Sequence, residues 1–560
     1  MREEFSYNII LLGGTGAKCG EIILHMCANG YFGMHKNLNI LYIDSDTKNG
    51  NAQNFINLYG TYTKCRKQYV IEESPIESFF YPKVKLITVN PVGKFKQFKD
   101  IAGASGDHHE SMLAARALMQ ALYSKEEMDL EIATGFYAHP NVGAAVFAAN
   151  MDSIMTEFQQ ILQEEMQKMK NIKIFLLGSI FGGTGAASLP TIARYFKETL
   201  FGKSTNKNIQ EQLKIGGCMV LPYFMFDKQD TDNKGNDPKI EADKFALKTK
   251  SALEYYKYVD EEEGRKTFDE LYIIGHDAMD IRGKYAIAGV EQRNLPHVVE
   301  LYAAMSAVTF FDNEMGTSGH YFAVIPAKKI SGENIYKTEK GYSFFFIMMR
   351  FAIVMKSLII EELFDYTQKD KLSKYAHKIP WYYDFLNGKA ESQNFEGGRL
   401  YSLFGEISNY CDEYIRWFAE LNLDNIEKQD MVGIDYDEDK GDIVNYLSIF
   451  SKELLFRQYQ NNQIRNGSTT LEDNEAKNTY KSNLKYIRKN LGKLEDVHFY
   501  TDHRSEKISM NEIWNRISNM GFNSFVKDEG AFKNIAKLNN KTMESGVKNL
   551  INAIFCACLF

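Results

Sequence analysis

The stretch "FLLGSIFGGTGAASLP", residues 175–190, places four glycines (Gly178, Gly182, Gly183, Gly185) between an apolar run and a helix-like pattern. A glycine held in an ordered element costs roughly 0.5–1 kcal/mol of extra backbone entropy. Such a concentration therefore marks a point where something must approach the main chain closely. A strand that ends in glycines and feeds a helix presents the unpaired N–H groups of the first helical turn, together with the positive end of the helix dipole. That combination suits an anion.

Two further glycine-rich turns lie upstream. "GGTGAKCG" (13–20) follows the strand-like "YNIILL" (7–12), and Gly13, Gly14, Thr15 and Gly16 let the chain turn sharply toward a ligand. By itself this turn has two readings. One is a dinucleotide fingerprint with Asp44 or Asp46 gripping ribose hydroxyls; the other is a tight strand-to-helix turn with no ligand. It is not a Walker-type loop, because Lys18 precedes Cys19 rather than Ser or Thr and the glycine spacing differs. "AGASGD" (102–107) offers Ala104, Ser105 and Gly106 to a terminal phosphate, or forms an ordinary turn with Asp107 as helix cap. The adjacent "DHHE" (107–110) reads as a solvated helix start, and no metal-ligating cluster is expected from protein side chains alone. A dehydrogenase has no reason to repeat a glycine-rich turn about 170 residues after the first. Several strand ends that converge on one triphosphate supply such a reason.

The surrounding pattern fits that picture. Residues 37–44, 84–89, 172–178, 215–224 and 270–275 read as buried strands, alternating with helical patterns at 17–32, 111–124 and 142–170. This predicts an α/β domain with a parallel, Rossmann-like sheet. "NLPHVVELYAAMSAVTFF" (294–311) is apolar nearly all round, so a helix there is buried on most sides. Beyond about residue 330, aromatic and aliphatic helical patterns alternate with polar loops at 387–398, 429–442 and 459–483. The expected division is a nucleotide-binding domain over 1–315 and a mostly helical region over 316–560.

Composition narrows the function. The 560 residues carry a net charge of −7, which argues against a nucleic-acid surface. Seven dispersed cysteines read as reduced thiols of a cytoplasmic protein. The acidic start "MREEFSYNIILLGG" has no signal-peptide pattern. The apolar stretch 344–364 is interrupted by Arg350, Lys356, Glu361 and Glu362, so no transmembrane segment is expected.

"GSIFGGTGAAS" (178–188) resembles the glycine-rich phosphate signature of the tubulin/FtsZ superfamily, with Gly182, Gly183, Thr184, Gly185 and Ala186 in its loop. "LLGGTGAKCG" looks like the family's first nucleotide loop, "IDSDTKN" (43–49) like its second, and "AGASGD" like the loop that senses the terminal phosphate. "LPYFMFD" (221–227) is similar to the stretch near the ribose, with Asp227 at the acidic position. "LYIIGHD" (271–277) resembles the base-reading strand and loop, with His276 at the asparagine position. The 294–311 segment is similar to the family's core helix, with Asn294 near the position that reads guanine and Pro296 where the family has asparagine. The order of these motifs covers about residues 7–315. The resemblance implies GTP as ligand, GDP as product, Mg2+ as companion ion and head-to-tail assembly into a homo-oligomer or filament. It also implies that "FFDNEMGTSG" (310–319) supplies Asp312 and Glu314 to a neighbouring subunit's nucleotide. The alternative is a nucleotide-dependent scaffold that binds without polymerising and hydrolyses weakly or not at all, with the C-terminal region binding a protein partner. A nicotinamide-linked oxidoreductase built on the first glycine loop is a third reading, disfavoured by the glycine-rich turn at 182–185.

Overall fold

The computed structural model describes most of residues 5–325, except 33–36, 47, 71–78, 103–109, 137–138, 169, 201–211, 227–244, 263–266, 277–279, 284–288 and 290–291. Beyond 325 it describes 397–421, 498–500, 507–509 and separate positions within 345–355 and 548–555. Two compact units result. The first comprises Met1–Leu24, His35–Tyr59 and Pro82–Lys328; the second comprises His25–Met34, Gly60–Tyr81 and Lys329–Phe560.

The first unit is α/β, built on a seven-stranded sheet whose strand pairs are all parallel. In chain order its elements begin with β1 (Phe5–Leu12), α1 (Gly13–Asn29), β2 (Asn37–Ile43), α2 (Gly50–Tyr69) and β3 (Lys83–Val89). Then come α3 (Glu110–Leu122), the single turn α4 (Lys125–Met128), α5 (Pro140–Gln167), β4 (Asn171–Ser179) and α6 (Thr184–Arg194). Next are β5 (Leu213–Val220), β6 (Phe224–Phe226), α7 (Phe245–Glu262), β7 (Glu270–His276), β8 (Asp280–Gly283), α8 (Val298–Asp312) and β9 (Gly319–Ile325). The strand order is β3-β2-β1-β4-β5-β7-β9.

Both faces of this sheet are covered, which is why its strands read as unbroken apolar runs rather than alternating ones. On one face Ile10, Leu12, Ile174, Leu176 and Ile215 share a core with Phe147, Met155 and Phe158 of α5 and Ile192 of α6. On the other face Phe175 meets Phe310 of α8 with ring centroids 5.4 Å apart. Gly216 lies under the same helix, where an added Cβ would sit 2.6 Å from the Phe310 ring. Helix α8 is buried along most of its length, as its all-round apolar sequence predicts.

Three local readings change. Helix α8 starts at Val298 rather than 294, because Pro296 holds the chain before it extended and His297 forms the cap. His297 Nδ1 accepts from Val299 N at 3.2 Å, and the Glu300 carboxylate accepts from His297 N at 2.9 Å, a capping box. The strand expected over 215–224 splits into β5 and β6, because Pro222 has no N–H to give a ladder. The sheet also gains β9, pairing with β7 from Glu270↔Gly319 to His276↔Ile325, so the first unit extends to Lys328.

The second unit has an aromatic core. Helix α9 (Gly397–Leu421) buries Tyr410, Tyr414 and Trp417 around His25, with ring centroids 5.8, 5.0 and 4.9 Å from the imidazole. Phe79 stacks near Phe555 at 4.3 Å, and Asn552 Nδ2 donates to Tyr69 O at 2.8 Å. Of the 344–364 stretch, Phe345, Met348, Phe351, Ala352 and Met355 are described, and all are buried. Among the described residues no helix is long and apolar enough to cross a membrane. Most of the region read as helical beyond 330, including its polar loops at 429–442 and 459–483, lies outside the described residues.

Candidate functional site

The sheet itself locates the site. Leu12, the last residue of β1, is in register with Ile43 of β2 and Gly178 of β4, so three strand ends lie side by side. From β1 the chain continues toward β2, and from β4 it continues toward β5 on the other side. Two neighbouring strands whose connections diverge open a crevice at their C-terminal ends, where ligands of open parallel sheets bind.

Both loops flanking that crevice run straight into helices. α1 starts at Gly13 with no acidic residue in its first turn, and α6 starts at Thr184 with Gly183 as an N-cap lacking a side-chain hydrogen bond. The first-turn N–H groups of two helices are thus left for another partner. The loops touch. A Cβ built on Gly13 would stand 3.3 Å from Thr184 Cβ and 3.8 Å from Gly185 N. Gly13 has φ +69°, the left-handed region that glycine adopts without penalty. A Cβ on Gly185 would overlap the Ser179 carbonyl oxygen and lie 3.0 Å from Ser179 N. Thus residue 185 must be glycine for the chain to double back on itself.

A cavity of about 140 Å³ occupies this crevice, room for phosphate-sized groups rather than a whole nucleotide. Of the residues expected from sequence, it is lined by Gly13, Gly14, Thr15, Asp44, Asp46, Gly182, Gly183, Thr184, Gly185 and Asn294. Gly16 and Ala186 do not line it. A Cβ on Gly16 would meet Leu11 C at 2.8 Å, so that glycine serves packing of α1 on β1. The Ala186 carbonyl accepts from Tyr256 OH at 2.6 Å, and the residue faces a separate groove among α5, α6 and α7. His276 ends β7 and also lies off the cavity, its ring 4.9 Å from that of His297. Ala104, Ser105, Gly106 and Asp227 lie outside the described residues.

The rim was only partly anticipated. Asn49, Asn51, Gln292, Tyr223 and Phe224 also line the cavity. Their polar members lace two distant loops together. Asn49 Nδ2 donates to Gln292 Oε1 at 2.8 Å, Asn294 N donates to Asn51 Oδ1 at 3.0 Å, and Gly289 N donates to Asp46 Oδ2 at 2.8 Å. The signal in the sequence was the "KNGN" run (48–51) directly behind Asp44 and Asp46. The Asn294 side-chain oxygen is buried on this rim and has no hydrogen-bond partner among the described residues.

The electrostatics are unusual for an anion site. Among the described lining residues Lys18 is the one base, and it is already engaged. Its ammonium pairs with buried Glu300 and donates to Leu295 O at 2.8 Å, while Tyr223 OH donates to the same Glu300 carboxylate. Lys18 therefore fixes the start of α8 rather than reaching into the cavity as a free cation. Asp44 accepts from Tyr42 OH at 3.0 Å and from Thr184 Oγ1 at 3.4 Å. Burial pushes its carboxyl up to about 7, with nearby Asp46 raising it further against the Tyr42 hydrogen bond. No cluster of three or more His, Cys, Asp or Glu able to hold a metal exists among the described residues.

Asp312 and Glu314 lie elsewhere. Asp312 ends α8, whose 15 residues span about 22 Å away from the cavity side. Near its end, Lys173 of β4 donates to Phe311 O at 2.7 Å and to Asn313 O. Lys173 is the third residue of β4, so this loop sits at the N-terminal edge of the sheet, opposite the crevice. Neither carboxylate can reach the cavity of its own chain.

No family model matches the chain, and no curated protein matches it. Among solved structures it is similar to CetZ from Methanosaeta thermophila strain DSM 6194, at 14% identity over 56% of this chain and 56% of that one, with a TM-score of 0.23. The likeness spans little more than half of that chain, and at this TM-score it carries no argument.

Proposed function

We propose that the protein is a cytoplasmic, tubulin/FtsZ-like GTPase that seats the phosphates of GTP, with Mg2+, in this cavity and hydrolyses GTP between copies assembled head to tail. The observation that carries the reading is the contact of Gly13 with Thr184 at the point where the β1 and β4 connections diverge. A dinucleotide site needs the loop after β1 alone; here the loop after β4 closes on the same spot, doubling the N–H donors. Two helix N-termini contribute about half a positive charge each, enough to hold a polyanion without a free lysine.

In this reading the amides at the starts of α1 and α6 hold the phosphates. Asp44 and Asp46, which line the cavity, would be the carboxylates nearest a Mg2+ ion bound with the phosphates, and that ion would neutralise phosphate charge. The unpartnered Asn294 amide oxygen is suited to a guanine N–H donor. Because Asp312 and Glu314 stand at the far edge of the sheet, they would act on the nucleotide of the next copy, orienting water by position and charge. Stacking of that kind is heterologous and leads to open filaments. The second unit is assigned to assembly or to a protein partner.

Three readouts on one preparation test this. The nucleotide released on denaturation should be GDP or GTP. GTP should make the protein sediment, and phosphate release per subunit should climb with protein concentration. Bound guanine nucleotide without sedimentation or turnover would establish the scaffold instead; retention of NAD with no GTP binding would end both readings.

A further inference from the structure

Two lysines are buried side by side where a sheet should least tolerate them. Lys173 of β4 and Lys214 of β5 are register partners and are 1% and 2% exposed. Adjacent strands lie about 4.8 Å apart, so two ammonium stems leave the same face next to each other. Burying like charges together is costly unless each is fully engaged.

Each is engaged, and both hold one short segment. Lys173 donates to the carbonyls of Phe311 and Asn313, the last turn of α8 and its cap. Lys214 donates to Glu314 O at 2.8 Å, to Thr317 Oγ1 and to the Glu270 carboxylate. Glu270 in turn accepts from Asn313 Nδ2 at 2.7 Å, Thr317 Oγ1 at 2.7 Å and Tyr272 OH at 2.8 Å. The main chain on both sides of Asp312 and Glu314 is thereby clamped, while those two carboxylates remain exposed. A helix C-terminus carries about half a negative charge, which offsets part of the cost of the two cations. Lys173 holds the end of the helix, and Lys214, paired with the buried Glu270 carboxylate, holds the loop beyond it.

We infer that Lys173 and Lys214 are positioning residues that present Asp312 and Glu314 to the nucleotide of a neighbouring copy. The inference rests on the hydrolysis proposed above, and its test separates the two. Full-length Lys173→Met and Lys214→Met should bind GTP within about twofold of wild type, because the clamp lies at the other edge of the sheet. Their phosphate release should fall by about 10–100-fold, the loss expected from misplacing a reacting group by about 1 Å. Thr317→Val, a milder cut in the same network, should give a smaller drop of the same sign and covers the case in which a lysine variant fails to fold.

Mixing supplies the readout that mere destabilisation would not move. A Lys214→Met subunit keeps its cavity and lacks a positioned loop; a Gly183→Val subunit lacks a cavity and keeps its loop. Alone, the Gly183→Val subunit should release no phosphate and the Lys214→Met subunit should release it about 10–100-fold more slowly than wild type, and the mixture should exceed both. Unchanged release from the lysine variants beside an active wild type overturns the inference, as does failure of the mixture to recover. Absence of release from wild type at every concentration removes the reaction itself, and so is told apart from those results.

Discussion

Replacing Asp44 with asparagine should make the nucleotide-free protein more stable at alkaline pH and leave it nearly unchanged in acid. Burial disfavours the charge of the folded carboxyl and pushes it up to about 7 from an ordinary value of 3.8. Between those two values the folded state holds a proton that the unfolded chain has released. Stability from this group is therefore complete below about 4 and is lost as pH rises through 7. A gap of about three pH units corresponds to at most about 4 kcal/mol at pH 8. Asparagine keeps the shape and an acceptor for Tyr42 without the charge, so Asp44→Asn removes that loss. Thermal melts of both proteins from pH 4.5 to 8.5 measure it: the gap in Tm should open by several degrees across pH 5–7, in favour of the variant. The same substitution should tighten metal-free triphosphate binding at pH 8 and abolish stimulation by Mg2+. A Tm difference independent of pH would refute the assignment of a strained, buried charge at the phosphate cradle.

Gly185→Ala forces a methyl group into the Ser179 carbonyl, so it should cost about 1–3 kcal/mol by overpacking and weaken GTP binding more than tenfold in calorimetric titration. Lys18→Met leaves Glu300 buried without its cation and should cost about 3–5 kcal/mol. Adding Glu300→Gln should recover most of that loss in a double-mutant cycle read by denaturant unfolding. In the second unit, burial and then the Arg416 charge hold the His25 imidazole well below its usual value. An unfolded chain takes up that proton near 6.5, so the unit should lose stability as pH falls through 6.5, and His25→Phe should flatten that acid limb in melts followed by Trp417 fluorescence.

Much of the sheet could be read from sequence because parallel strands covered on both faces need continuous apolar runs, and "IKIFLLG" and "YNIILL" supply them. The crevice residues were visible for a related reason: Gly185 occupies a position where a side chain would meet backbone, and Gly13 takes a left-handed φ of +69°. What escaped was long-range. The pairing of Asn49 with Gln292 and Asn51 with Asn294 joins residues 243 apart, and nothing local specifies it. β9 was missed because it opens within the polar, glycine-containing "GTSGH" (316–320), which reads as a loop. The roles of Lys173 and Lys214 were not legible, since their partners lie 56 to 140 residues away and several are main-chain carbonyls that carry no sequence signature. The second unit's use of His25–Met34 and Gly60–Tyr81 was equally hidden, because α1 and α2 are continuous helices whose two ends differ only in what they pack against.

Calorimetric titration of GTP, inorganic triphosphate and NAD into wild type and Gly183→Val tests the shared cradle most directly. The account requires wild type to bind GTP and the bare triphosphate, and the variant to stay folded while losing both. Equal affinities in the two proteins, or heat from NAD alone, would mean that the paired glycine turns are mere chain reversals and hold no phosphate.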